Sequence, residues 1–282
     1  MLTKISEEII KNAVAIEKIS NENNDSVKTM YKDFDHMLGG LRRGELYLFA
    51  GKGDAGKTSF FVNLINTVGV VQNRTIAYFS MEDGISLSVS KLIKMITKSN
   101  TSKQETSEED ALAEKKIYID DTPGVNIREI DASLSRIENP VDLILVDYLQ
   151  LMNGYDADSG GANILTGLKE IAKSHNCPVL VAYALKSLDG SIDMNGRYPG
   201  LEEIKQGTRE IADNIILFLD KEIIFKNDGS GVAVAYFMIV KCREGSNGRV
   251  MLMWDPKYLK YSDYKDTGRW HLDRWVRHKL NA

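Results

Sequence analysis

The chain has 282 residues, 43% apolar and 27% charged, with a net charge of −4. That is ordinary for a soluble globular protein of one large domain or two small ones, and it excludes a uniformly basic nucleic-acid coat, though not a local basic groove. Its two cysteines, Cys177 and Cys242, stand beside apolar runs, which argues against a disulfide framework or a zinc site and fits a reducing compartment.

No apolar run nears the ~20 residues that cross a bilayer, and no signal peptide opens the chain, so a soluble intracellular protein with no membrane partner is expected. In chain order, Ile5, Ile9, Ala13 and Ile16 form one apolar stripe on a short helix over residues 5–19. The polar stretch SNENNDSVK (20–28) then reads as a linker. A helix this short is marginal alone, so its stripe needs a surface to dock on, in its own domain or on a neighbouring subunit.

From about Phe34 the pattern alternates strand and helix. Strands are expected at 45–50, 75–80, 116–120, 142–147, 178–183, 214–219, 233–241 and 249–254. Helices are expected at 57–70, 85–97, 126–137, 162–175 and 201–210. DLILVD and PVLVAY are continuously apolar, as in parallel strands with helices on both faces. The late strands lack intervening helices and should pair antiparallel at one edge. The fold class is therefore α/β, a mostly parallel central sheet sandwiched by helices. Residues 97–115 are polar and read as mobile. The tail, 263–282, carries Arg269, Trp270, Arg274, Trp275, Arg277, His278 and Lys279. It reads as a basic amphipathic helix or as a surface helix packing its tryptophans on the body, the blander reading preferred. The chain thus divides into 1–28, helix and linker; 29–262, the α/β domain; and 263–282, the basic tail.

The most informative stretch is FAGKGDAGKTSFF, where Gly51, Gly56, Lys57 and Thr58 satisfy G-x-x-x-x-G-K-[S/T] between a strand and a helix. A loop that wraps a polyphosphate must aim several N–H groups inward, which needs unusual backbone angles and no Cβ. Gly51, Gly53, Asp54, Ala55, Gly56, Lys57, Thr58 and Ser59 form the expected nucleotide cradle at the helix N-terminus. Lys57 would reach the β and γ phosphates of ATP, and the Thr58 hydroxyl would bind Mg²⁺. Asp147 ends a fully apolar strand, so it falls at the carboxyl edge of the sheet and can hold a magnesium-bound water beside Thr58. Glu82 follows another strand and is the preferred residue to polarise the attacking water, with Asp83 the competitor.

These residues, with FDHMLGGLRRGEL (34–46), FSMED (79–83), IDDTPG (119–124), DYLQL (147–151) and KCREGSNG (241–248), resemble the RecA-like ATPase domain of DnaB-type replicative helicases and bacteriophage primase-helicases over roughly residues 33–255. The resemblance implies a RecA-like P-loop NTPase fold, assembly into a hexameric ring with ATP between neighbours, and single-stranded DNA in the channel. It also implies a primase or other replisome protein as a partner and a bacterial or phage-infected cytoplasm as location. Lys57, Thr58, Glu82 and Asp147 would serve the subunit's own nucleotide. Lys241 and Arg243 would reach the γ-phosphate held by the adjacent subunit. The helix at 5–19 would match the family's linker helix, and Lys186 and Arg197, in loops after strands, would contact DNA phosphates.

Departures from the family pattern are visible too. Tyr183, Ala184 and Leu185 occupy the stretch where the family carries a Gln or His that senses the γ-phosphate, and Lys205 replaces a common arginine. The family's large amino-terminal domain is not recognisable, so a minimal phage or plasmid helicase fits. Three functions are weighed: a helicase moving 5′→3′ on single-stranded DNA, a non-unwinding RecA-like ATPase acting as a recombination or helicase accessory factor, and a small-molecule kinase.

Overall fold

In a computed structural model the described residues are 26–53, 55–97, 112–185, 200–225 and 231–265. The expected helix at 5–19, the polar stretch 98–111, Asp54, Lys186, Arg197 and the tail beyond residue 265 lie outside them. Among the described residues the helices are α1 (Lys32–Leu38), α2 (Lys57–Leu64), α3 (Ile85–Thr97), α4 (Ile127–Leu134), α5 (Ala162–Ser174) and α6 (Gln206–Ile211). The strands are β1 (Leu46–Lys52), β2 (Ile76–Ser80), β3 (Ile117–Asp120), β4 (Leu143–Asp147), β5 (Val179–Leu185), β6 (Asn214–Phe225), β7 (Gly231–Lys241), β8 (Gly248–Asp255) and β9 (Lys260–Asp263).

The strands form one sheet in the order β3-β2-β4-β5-β1-β6-β7-β8-β9. Neighbours from β3 to β6 are parallel, and β7, β8 and β9 close the far edge antiparallel. This is the expected arrangement, and β1 shows why its sequence has no polar alternation. Leu46, Leu48 and Ala50 face one buried cluster with α4 and α5. Tyr47 and Phe49 face the other, with α1, α2 and α3. Successive side chains point to opposite faces, so a strand covered on both sides must be apolar at every position. On the second face aromatic rings do much of the filling: Phe49 stacks on Phe60 at 4.8 Å and Phe218 on Phe237 at 4.6 Å.

Several elements differ from expectation. The helix expected over 57–70 is α-helical only to Leu64 and continues as a wider π-helical segment, Ile65–Val71. The helix expected over 201–210 splits into a short 3₁₀ turn, Leu201–Glu203, and α6. Two elements were unforeseen. α1 has seven residues, buries Phe34 and Leu38, and ends on Gly39 at φ +74°. β9 has four residues and pairs with β8. Both are too short to show a periodic signal. Val27, expected in the linker, is fully buried and pairs with Leu41, so residues 26–28 pack on the domain.

Candidate active site

The order β2-β4-β5-β1 brings three strand ends together at one carboxyl edge. Ser80 pairs with Asp147, and Gly51 with Ala184. The loop after β1 and the Glu82 turn after β2 therefore border a single cleft of about 320 Å³, and Asp147 at the end of β4 lies buried beneath it, close enough to Thr58, Glu82 and Lys57 to feel all three. Gly53, Gly56, Lys57, Thr58 and Ser59 of the loop and α2 line it together with Glu82, Asp83 and Lys91, and with Tyr148 and Ala184 from the ends of β4 and β5.

The loop's glycines meet specific demands. A Cβ on Gly51 would lie 3.0 Å from the Phe218 carbonyl, so the strand can pack here only without a side chain. Gly56 caps α2 at φ +107°, where L side chains are strained, and its Hα faces Lys221 and Phe218. Ala55 donates its N–H to the Lys52 carbonyl at 3.4 Å, closing the turn. Lys57 is buried and folds back over the loop, donating to the Gly51 and Lys52 carbonyls at 3.1 and 2.6 Å.

Asp147 is fully buried. Its Oδ2 accepts from the Tyr78 hydroxyl at 3.2 Å, and the Ser80 hydroxyl lies 3.2 Å from that of Tyr78. Its Oδ1 is buried with no hydrogen-bond partner. Burial is the main force raising its pKa to about 6, and the Glu82 carboxylate adds to it; the Thr58 and Tyr78 hydroxyls and the Lys57 ammonium oppose. An orphaned anionic oxygen is costly in a protein interior. It fits a site that expects a cation or its water shell, and Thr58, on the first turn of α2, borders the same space. The donor set, a hydroxyl and a carboxylate, suits a hard cation such as Mg²⁺. Of the two rival carboxylates, Asp83 is ion-paired with Lys91 of α3, and the Ser80 hydroxyl donates to its carbonyl at 2.7 Å.

The remaining candidates lie elsewhere. Lys241 donates to the Arg209 and Ala212 carbonyls at 2.9 and 2.6 Å, so it caps the C-terminal end of α6. Burial lowers its pKa. Arg243 is more than half exposed and reaches Asp213 Oδ1 at 3.2 Å. That carboxylate also takes the Leu46 N–H at 3.0 Å and Lys169 at 2.8 Å. Burial would raise the Asp213 pKa, but these donors and charges outweigh it and hold the carboxyl below its ordinary value. Lys241 and Arg243 thus sit at the amino end of β1, the edge opposite the cleft. Asp213, Lys91 and Tyr148 were not foreseen. Tyr148 directly follows Asp147 and was within reach of inspection. Lys91 comes nine residues after Glu82 with no local pattern to mark it.

The DnaB-like helicase C-terminal domain family model matches residues 26–263. The replicative DNA helicase DnaC of Bacillus subtilis (strain 168) is 28% identical over 269 residues, covering 87% of this chain and 59% of that protein. The replicative DNA helicase DnaB of Geobacillus stearothermophilus is 27% identical over the same span and coverage. The chain therefore spans about three fifths of these relatives. In fold it resembles the ATPase domain of G40P (TM-score 0.69, 20% identity, 94% of this chain and 100% of that one). A DnaB-like replicative helicase described with its primase interactions gives 0.68 at 20% identity, covering 94% and 68%. The RadB recombinase gives 0.60 at 19%, covering 85% and 100%.

Proposed function

The chain belongs to the DnaB-like helicase C-terminal domain family, and from that premise we propose that it is the ATP-hydrolysing motor of a ring-forming replicative DNA helicase. The observation that carries the proposal is the two-ended layout of β1. The phosphate loop and Asp147 stand at its carboxyl end, and Arg243 and Lys241 at its amino end. A protomer built this way holds a nucleotide at one edge and offers cations from the other, which suits a hexamer with ATP at each junction.

The chain's own residues then divide the work. Backbone N–H groups of residues 53–59 cradle the phosphates at the start of α2. Lys57 swings from its carbonyls to the β and γ phosphates. Thr58 and Asp147 would hold magnesium, which when bound would neutralise charge on the phosphate oxygens. At neutral pH Asp147 is ionised, its pKa being about 6. Glu82, which lines the cleft beside the phosphate loop, orients the attacking water and accepts its proton, with Asp83 the competing carboxylate. Arg243 and Lys241 of the adjacent protomer stabilise charge on the transferring phosphoryl group. Lys186 and Arg197 hold single-stranded DNA phosphates, so that hydrolysis around the ring moves the strand, in the 5′→3′ direction. Primase or another replisome protein is the expected partner, in a bacterial or phage-infected cytoplasm. No helix among the described residues is long and apolar enough to cross a membrane.

A second reading is a non-unwinding ATPase that acts as a recombination or helicase accessory factor. Ala184 favours it: it borders the cleft with a side chain too short to sense a γ-phosphate. A forked-duplex unwinding assay with ATP separates the two. The helicase reading expects strand separation that Lys57→Ala abolishes. ATP hydrolysis without any unwinding favours the accessory factor, and unwinding by the Lys57→Ala variant would sink both.

A further inference from the structure

We propose that Lys91 of α3 contacts the γ-phosphate and so takes over the task for which β5 supplies no side chain. The inference rests on the nucleotide reading of the cleft. Among the described residues two cations line that cleft, Lys57 of the phosphate loop and Lys91 of α3. Lys57 belongs to the loop itself and is anchored on its carbonyls. Ala184, at the end of β5, stops at its Cβ. Gln150 stands close by, but its amide is used twice on the Ala184 backbone: it donates to the carbonyl at 2.7 Å and accepts from the N–H at 3.1 Å. Tyr148 offers a hydroxyl but no charge.

Lys91 already stands in the cleft, paired with Asp83, the two side chains being 22% and 14% exposed. An exposed Lys–Asp pair would be a bland surface feature. This one is mostly shielded from water and lies beside Glu82, where the end of a triphosphate would fall. A terminal phosphate carries about twice the charge of a carboxylate and presents three acceptor oxygens, so it outcompetes Asp83 for the ammonium. A diphosphate ends short of Lys91 and leaves the Lys91–Asp83 pair intact. Lys91 would thus report which nucleotide is bound, and its departure from Asp83 would couple that state to the Glu82 turn.

Affinities for ADP and for a nonhydrolysable ATP analogue, measured by calorimetry on the full chain, test this. Lys91→Gln should weaken the analogue about 10- to 30-fold and leave ADP within about twofold, with Lys91→Arg restoring most of the loss. Retained ADP binding also shows that the variant is folded. Asp83→Asn, which removes the competing carboxylate, should tighten the analogue and not ADP. Equal losses for the two nucleotides, as a purely structural brace would give, overturn the proposal, as does no loss at all. If the wild-type chain binds neither nucleotide, the phosphate-loop reading itself fails; if wild type binds both and Lys57→Ala loses both, an unchanged or equally weakened Lys91→Gln variant sinks the Lys91 proposal alone.

Discussion

Mixing two inactive variants tests the division of the site between protomers. Lys57→Ala removes the loop cation and Arg243→Ala the opposing one. Within one chain the Arg243 guanidinium and the Leu46 N–H share the Asp213 carboxylate, whereas Lys57 caps Gly51 and Lys52. The span from Leu46 to Lys52 at 3.3 Å per residue is roughly 20 Å, more than an arginine side chain can bridge. Arg243 therefore cannot reach its own chain's phosphate loop, and the proposal gives it a role only on another copy's nucleotide. Each variant alone should lose most ATPase activity, by about 10³-fold or more for a trans-acting arginine. In an equimolar mixture, a junction works when the nucleotide side comes from the Arg243→Ala chain and the other side from the Lys57→Ala chain. Random assembly makes about one quarter of junctions of that kind, so activity should return to about one quarter of wild type if junctions act independently. The assay is phosphate release with single-stranded DNA, after exchange of subunits has been verified by labelled chains. Exchange without any recovery would refute the argument, as would full activity of Arg243→Ala alone.

Asp147→Asn should abolish hydrolysis yet stabilise the nucleotide-free protein. The folded-state pKa of Asp147, about 6, lies above the ordinary carboxylate value, so folding disfavours the ionised form. That penalty is full above pH 6 and fades as pH falls toward 4. The gain from the asparagine, up to roughly 3 kcal/mol at pH 8, should shrink on acidification; denaturant titrations at several pH values would contradict this if the gain were constant or grew. Phe237→Ala should cost about 3–5 kcal/mol, because the fully buried ring contacts Phe218, Phe34 and Phe60 at centroid distances of 4.6, 5.3 and 5.3 Å. A loss under about 1 kcal/mol in urea unfolding would mean that this aromatic cluster is not the packing unit described. Gly69→Ala should also destabilise, by about 1–3 kcal/mol, since its Cβ would press on Ile76 and Ile117 at 3.0 and 3.1 Å; an unchanged melting temperature would speak against so tight a seat.

The features legible in the chain are those written locally. The spacing from Gly51 to Thr58 and the apolar runs ending at Asp147 and Tyr183 are consecutive residues that share one element, and propensity and periodicity read them directly. α1 and β9 escaped because four to seven residues carry too few repeats to stand out, and their stability comes from burying Phe34, Leu38 and Tyr261 against other elements.

By itself the sequence determined the α/β class, the phosphate-loop motif and the carboxylate at a strand end, because each depends on residues near one another along the chain. Strand order was decided only in three dimensions. It set β4 and β5 between β2 and β1, so that Asp147 and Glu82 face the loop, and it carried Arg243 to the opposite edge. The seating of α3 likewise brought Lys91 to Asp83 inside the cleft. Contacts between residues far apart in the chain depend on how whole elements cross and pack, and that information is spread over every buried face instead of residing in any one segment.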